Sequence, residues 1–184
     1  MRFSLPLSPS AAHASLEQLD VLQLLLESHD HIRRVAALAA QLGQAQDASP
    51  SYLSETAGRV LSYFTQGLPQ HFEDEDCALL PRLFTTTISV EMMQRFQELE
   101  RQHEGIELSL DQLAPLWLAV RNVPACYPTL AEPLAKLGRQ LMIQLEVHLM
   151  QEEQYLFPLV RASFPQETLQ ELAVEMLRRR DRLN

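Results

Sequence analysis

The chain has 184 residues, of which 46% are hydrophobic and 21% charged, and its formal net charge is −9. This length suits one domain with a substantial core and is too short for two. The acidic charge argues against nucleic acid or an anionic membrane as a partner, and no stretch reaches about 18 apolar residues, so no membrane span is expected.

The first predicted helix follows an N-terminal extension (residues 1–14) and runs from about residue 15 to residue 42. The apolar run after Met1 is too short for a signal peptide, and two isolated cysteines favour a reducing compartment, so we expect a cytoplasmic protein. The second helix begins with Ser49 as N-cap and Pro50 as its first residue. It continues to about Leu80, where Pro81 is predicted to close it.

The third helix is predicted to begin at Ser89 as its N-cap and to extend toward Ala119, with Pro115 as a kink or an early stop. The fourth helix covers about residues 130–156 and is predicted to end at Pro158. A shorter fifth helix is predicted from about residue 165 to residue 180.

Each long segment has an apolar stripe at the helical period, and no strand-like alternation competes with it. Four long amphipathic helices joined by short loops indicate an antiparallel bundle. The sequence therefore predicts an all-α protein, with an up-down four-helix bundle over residues 15–162 and an additional C-terminal helix over residues 163–184.

Four of the six histidines lie inside the apolar stripes, one in each long helix: His29, His71, His103 and His148. A single histidine on an apolar face is usually a core residue with satisfied hydrogen bonds, but four at once, one from each helix, favour a shared site. His31 is about 200° around the helix from His29 and is expected at the surface.

Two of these histidines are followed one turn later by a glutamate, in the pairs His71–Glu75 and His148–Glu152. Residues four apart lie on one helix face, so both members of a pair can point into the core. A buried, unpaired carboxylate is very costly, and the chain has a single lysine, Lys136. A pair of divalent cations is the partner that fits best.

The two pairs belong to an internal repeat. Residues 71–81 and 148–158 both follow the pattern His-x3-Glu-acid-x2-Leu-apolar-Pro, and the single-histidine helices precede them at similar distances. The chain is therefore a helix hairpin repeated twice, with half a site in each copy. Packing the copies around a pseudo-twofold axis predicts a binuclear metal site.

These residues, in this order, resemble the hemerythrin and HHE cation-binding family, from about Leu19 to Val160. The resemblance implies a non-haem di-iron core in which Glu75 and Glu152 bridge two iron ions. It implies that the four histidines are terminal ligands and that open coordination accepts O2, NO, peroxide or an oxo bridge. Imidazole and carboxylate ligands would also suit manganese or zinc.

The sequence departs from the oxygen-carrying members at two positions. Glu107 stands where those members have a second histidine on the third helix, and Glu153 stands at their position for the bridging acid on the fourth. The chain is closer to the four-histidine, two-glutamate branch that is implicated in iron repair and nitrosative stress. Glu107 and Glu153 are therefore further candidate ligands, and Glu107 could instead line a path for iron.

Charged residues next to the ligands are expected at the surface, namely Glu73, Asp74 and Asp76. The run from Arg178 to Arg180 is expected to be a solvated helix end, where basic residues complement the helix dipole.

Three functional hypotheses follow. The first is a di-iron protein that binds O2 or NO, or handles iron, in oxidative or nitrosative stress. The second is a metal-dependent sensor or regulatory module without catalysis, whose fifth helix is a docking surface or forms a homodimer. The third is a structural bundle with a vestigial site. Whether the chain is an enzyme stays open.

Overall fold

The computed structural model describes residues 20–183, with side chains to residue 180, and within this range all regular structure is helical. The first helix, α1, spans Val21–Leu42, and α2 occupies residues 50–83. Helix α3 spans Val90–Asn122, α4 occupies residues 127–163, and α5 spans Gln166–Leu183. The predicted helical bundle with an additional C-terminal helix is confirmed. The predicted N-terminal extension and the first helix before Asp20 lie outside the described residues.

Side-chain caps fix three of the helix starts. Asp20 caps α1 by accepting a hydrogen bond from the Leu22 backbone N–H at 2.9 Å. Ser49 caps α2 in the same way, and Ser89 caps α3, as the sequence predicts. Helix α4 begins at Tyr127, three residues before the predicted start, after a short 3-10 turn over Pro124–Cys126. The Tyr127 hydroxyl holds this start in place by donating to the Leu42 carbonyl at 2.7 Å.

Helices α2 and α4 pass through π turns, in which the backbone hydrogen bond spans five residues. Helix α2 contains π turns at Tyr63–Gly67 and Glu75–Leu79, and α4 contains one at Glu152–Leu156. Each turn is followed two residues later by a proline, whose ring would clash with the carbonyl four residues earlier in a regular helix. That carbonyl lies within the widened turn in all three cases.

The predicted helix ends at Pro81 and Pro158 are therefore wrong, because the π turns accommodate both prolines. Helix α2 continues to Leu83 and α4 continues to Ser163. Of the two alternatives predicted at Pro115, a kink or an early stop, the early stop is wrong as well. Helix α3 runs through Pro115 because the residues around it, Leu113 and Trp117, are fully buried between the helices.

Two apolar clusters fill the bundle, one on either side of the six predicted ligands. In every helix of the bundle, the ligand positions separate residues of one cluster from residues of the other. The first cluster is centred on Trp117, which stacks on Phe64 with ring centroids 5.5 Å apart. The second includes Leu25, Leu79 and Phe157. The polar site therefore forms a layer across the middle of an otherwise apolar core.

Helix α5 packs onto the second cluster instead of standing apart from the bundle. Its apolar residues Leu169, Leu172, Ala173 and Met176 are each at most 1% exposed. The apolar face that was a hypothetical docking surface is therefore covered by the bundle itself. None of the described helices combines the length and the apolar content that a membrane crossing requires.

Candidate metal centre

The structure brings the six predicted ligands together in two overlapping groups. One group consists of His29, His71, Glu75 and Glu152, and the other of Glu75, His103, His148 and Glu152. Within each group one ligand atom of every residue lies within 4.8 Å of the others. We call these two groups the His29–His71 half and the His103–His148 half of the cluster. Both glutamates belong to both halves.

Each glutamate directs one carboxylate oxygen toward each half. Glu152 Oε2 lies 3.2 Å from His29 Nε2, and Glu152 Oε1 lies 2.9 Å from His148 Nε2. Glu75 Oε1 lies 3.5 Å from His71 Nε2, and Glu75 Oε2 lies 3.9 Å from His103 Nε2. Two carboxylates oriented in this way can bridge two cations, each of which also contacts two imidazoles.

The local helix geometry explains this convergence. His71 and Glu75 are one α-helical turn apart, and so are His148 and Glu152, so each pair shares a face. Both glutamates stand at the first residue of a π turn. Such turns are often found at functional sites, and here they occur at the two positions that the internal repeat makes equivalent.

The cluster is deeply buried and its polar atoms are under-satisfied. The side chains of His29, His71, His148 and both glutamates are 0–1% exposed, and that of His103 is 12% exposed. Among the described side chains, the buried atoms without a hydrogen-bond partner include both carboxylate oxygens of Glu75 and both ring nitrogens of His71. Buried polar atoms are normally paired, and convergent nitrogen and oxygen donors of this kind fit divalent cations.

The protonation preferences of the metal-free cluster follow from burial and from proximity. Burial lowers the pKa of His71 to about 3, so its imidazole is neutral near neutral pH and can act as a ligand. Burial, together with the nearby carboxylate of Glu152, raises the pKa of Glu75 well above its ordinary value. Although burial opposes ionisation of Glu152, the imidazoles of His148 and His29 hold its pKa well below the usual range. A cation that binds here therefore competes with a proton on Glu75.

Outer hydrogen bonds orient one histidine of each half. His29 Nδ1 lies 2.8 Å from Glu153 Oε1, and Arg33 donates to the same oxygen at 2.8 Å. His148 Nδ1 lies 3.2 Å from Oε1 of Gln102. A partner on Nδ1 fixes the ring and leaves Nε2 to face the cluster, as is usual for metal-binding histidines.

The structure places the two further candidate ligands outside the cluster. Glu153 belongs to neither group; it is the outer partner of His29. Glu107 is exposed and also belongs to neither group, because Ile106 occupies the buried position one turn after His103. The hypothesis that Glu107 is a seventh ligand is therefore not supported.

Asp74 is buried, which contradicts the prediction that it is exposed, whereas Glu73 and Asp76 are exposed as expected. Its carboxylate accepts hydrogen bonds from Arg179 Nε at 3.2 Å and Arg180 Nε at 3.1 Å. These two arginines of α5 are thus not a solvated helix end. They pair with a buried carboxylate located between His71 and Glu75 in the chain, and this pairing fastens α5 to the helix that carries both ligands.

The fold is that of a helical-bundle domain, and its clustered histidines and glutamates are able to hold a cation. The family model of the hemerythrin HHE cation-binding domain matches residues 20–160, which is most of the chain. The chain belongs to this family and is a cation-binding domain. Helix α5 lies outside the matched region. A search among curated proteins finds no match.

Proposed function

We propose that the cluster holds two iron ions and that this non-haem di-iron centre binds a neutral diatomic molecule, O2 or NO. The proposal rests on one observation: Glu75 and Glu152 each direct one carboxylate oxygen toward the His29–His71 half and the other oxygen toward the His103–His148 half. Two imidazoles in each half and two shared carboxylates suit iron, while manganese or zinc could substitute. When bound, iron would supply redox chemistry and open coordination positions.

The residues of the chain would hold the centre, orient it and keep water away. Phe157 packs on His29 with ring centroids 5.1 Å apart, and Phe72 stacks on His103 at 3.9 Å. Because Glu107 is turned to solvent, the set is limited to four histidines and two glutamates. Such a set resembles the four-histidine, two-glutamate branch of the family, and this resemblance supports a role in iron handling or NO chemistry during oxidative or nitrosative stress over simple O2 carriage. A cytoplasmic location is part of the same proposal.

Metal analysis with absorption spectroscopy tests the proposal. We expect about two irons per chain after loading with Fe(II), and a charge-transfer absorption that changes on reduction and on exposure to NO. Glu75→Gln should abolish loading, whereas Glu107→Gln, a matched change on an exposed glutamate, should leave it intact. A wild-type chain that takes up no more iron than Glu75→Gln would contradict the proposal.

A metal-dependent sensor is the second candidate function. It is favoured by the contact of Arg179 and Arg180 with Asp74, which lies one residue before Glu75. A change of metal state would then alter how firmly α5 is docked, and with it any partner or homodimer contact. Amide hydrogen exchange of α5 and the solution size should differ between loaded and metal-free protein. Identical exchange and identical size would exclude this candidate.

A further inference from the structure

The two halves of the cluster differ in their access to solvent. His29 and His71 have side chains that are 0% and 1% exposed, whereas that of His103 is 12% exposed. A cavity of about 490 Å³ reaches the cluster and is lined by His103, Glu75 and Glu152. Of the four clustered histidines, His29, His71 and His148 do not line it, and His103 does. This cavity therefore meets the cluster from the His103–His148 half.

A larger groove elsewhere on the molecule does not reach the cluster. It lies between α1 and α2, has a volume of about 1380 Å³, and includes Arg34, Arg59 and Arg121 among its lining residues. None of the six clustered residues lines it. On the His29 side, Glu153 contacts the outer nitrogen of the imidazole and is itself paired with Arg33. The cavity at His103 is thus the better route for an incoming molecule.

The walls of the cavity combine apolar side chains with two additional acids. Six apolar residues line it: Leu80, Phe84, Met93, Phe96, Leu99 and Leu156. Among the described residues, the charged side chains of the lining, besides the clustered glutamates, are Asp76 and Glu100, and none of the described lysine or arginine side chains lines it. Asp76 Oδ2 lies 3.7 Å from His103 Nδ1, so one of the acids stands beside the accessible ligand. Negative charge along an apolar passage repels small anions and does not oppose neutral molecules.

We propose that this cavity is the entrance to the centre, that an exogenous ligand arrives at the His103–His148 half, and that Asp76 and Glu100 select neutral diatomic molecules over small anions. The inference rests on the proposed di-iron function and adds the route and the selectivity. The apolar walls of the cavity suit O2 and NO, and the two acids in its lining disfavour azide, cyanate or similar anions.

The selectivity is tested on the iron-loaded protein with azide and NO, each titrated by absorption spectroscopy. Asp76→Asn alone or Glu100→Gln alone removes one partly exposed charge and should tighten azide binding about threefold. The double variant Asp76→Asn with Glu100→Gln should tighten it about tenfold. NO binding should change less than about twofold, since NO is uncharged. The matched control is Glu107→Gln, which removes an exposed charge from α3 outside the cavity. Azide affinity that is equal in the double variant and the control would overturn the selectivity.

The route is tested by narrowing the cavity at Met93, which lines it and is 40% exposed, so that a larger side chain should be tolerated. Met93→Trp should slow NO association at least about fivefold without changing the iron content, and Gln97→Trp is a second variant for the same purpose. The control is Gln66→Trp in the groove between α1 and α2. Slowing by the control alone would overturn the route.

The outcomes separate this inference from the function on which it rests. A wild-type chain that binds no iron overturns both. Two irons per chain, with NO association unaffected by Met93→Trp and Gln97→Trp, overturns the entrance and leaves the di-iron function standing.

Discussion

The two halves of the candidate centre have the same ligand types and different surroundings. In the His29–His71 half, the outer nitrogen of His29 meets a carboxylate, Glu153, that Arg33 holds in place. In the other half, the outer nitrogen of His148 meets the neutral amide of Gln102, and His103 faces a cavity. The repeated sequence motif makes the inner ligands equivalent and places an acid beside each single histidine, with Glu153 2.8 Å from His29 Nδ1 and Asp76 3.7 Å from His103 Nδ1. The longer of these two contacts belongs to the half that faces the cavity.

The largest effect is expected from removing a ligand that both halves share. Glu152→Ala should reduce the metal content from about two ions per chain to nearly none, because one of its oxygens faces each half. The measurement is elemental analysis after equilibrium loading. Its control, Glu153→Ala, removes the neighbouring carboxylate and should leave measurable metal. Equal metal content in Glu152→Ala and wild type would show that the two halves do not share this ligand.

The outer partners offer a way to weaken one half at a time. Glu153→Gln should lower the affinity of the His29–His71 half about 10-fold to 100-fold, because a charged partner strengthens the imidazole as a ligand. Gln102→Leu should have a smaller effect, confined to the other half, because its amide is neutral. Competition with a chelator should resolve the two ions as separate phases. If both variants weaken both phases equally, the halves are not independent.

A pH titration compares a shared ligand with a ligand that belongs to one half. The pKa of Glu75 is raised by burial and by Glu152, so the proton it carries must leave when a cation binds. The apparent metal affinity should therefore increase with pH, by up to about tenfold per pH unit, and level off above that raised pKa. His71, with a pKa lowered to about 3, should not compete with protons near neutral pH. Calorimetry in buffers of different ionisation enthalpy counts the released protons; zero release below neutral pH would contradict the expectation.

The smallest effect concerns the contact that braces the helix of His71 and Glu75. Arg180→Gln should lower the free energy of unfolding by about 1–2 kcal/mol, because it removes one of two partners from a carboxylate that is 1% exposed. Urea unfolding of the metal-free protein measures this change. Arg178→Gln, on the exposed face of the same helix, should stay within about 0.5 kcal/mol of wild type. Equal stability of the two variants would mean that the pairing with Asp74 contributes nothing.

The bundle could be predicted from the sequence because its signals are local and periodic. Apolar stripes at the helical period marked the helices, and Ser49 and Ser89 marked two of their starts. One histidine in each stripe, with two glutamates one turn on, was enough to name all six residues that the structure gathers. Their role as metal ligands remains a prediction.

Features that depend on distant residues could not be predicted in this way. Asp74 and Arg180 are 106 positions apart, so the burial of that carboxylate is visible only once α5 is docked. The choice between Glu152 and Glu153 as the inward acid depends on the helix phase at the start of a π turn. The prolines at 81 and 158 signalled a helix end by local rules, and only the widened turns in front of them show why the helices continue.

The π turns have a consequence for the register of the bundle. Each π turn contains one residue more than the α-helical turn it replaces. All later residues of the helix are therefore rotated by about 100° relative to the positions they would have in an unbroken α-helix. That rotation keeps Leu79 and Phe157 directed into the second apolar cluster. Deleting a single exposed residue inside a turn, Cys77 or Gln154, would restore an unbroken α-helix and leave the following apolar stripe in phase, but the ring of Pro81 or Pro158 would then clash with the carbonyl four residues earlier. The same deletion in a regular α-helical stretch of α2 or α4 would instead rotate every later residue by about 100° and turn the apolar stripe away from the bundle axis.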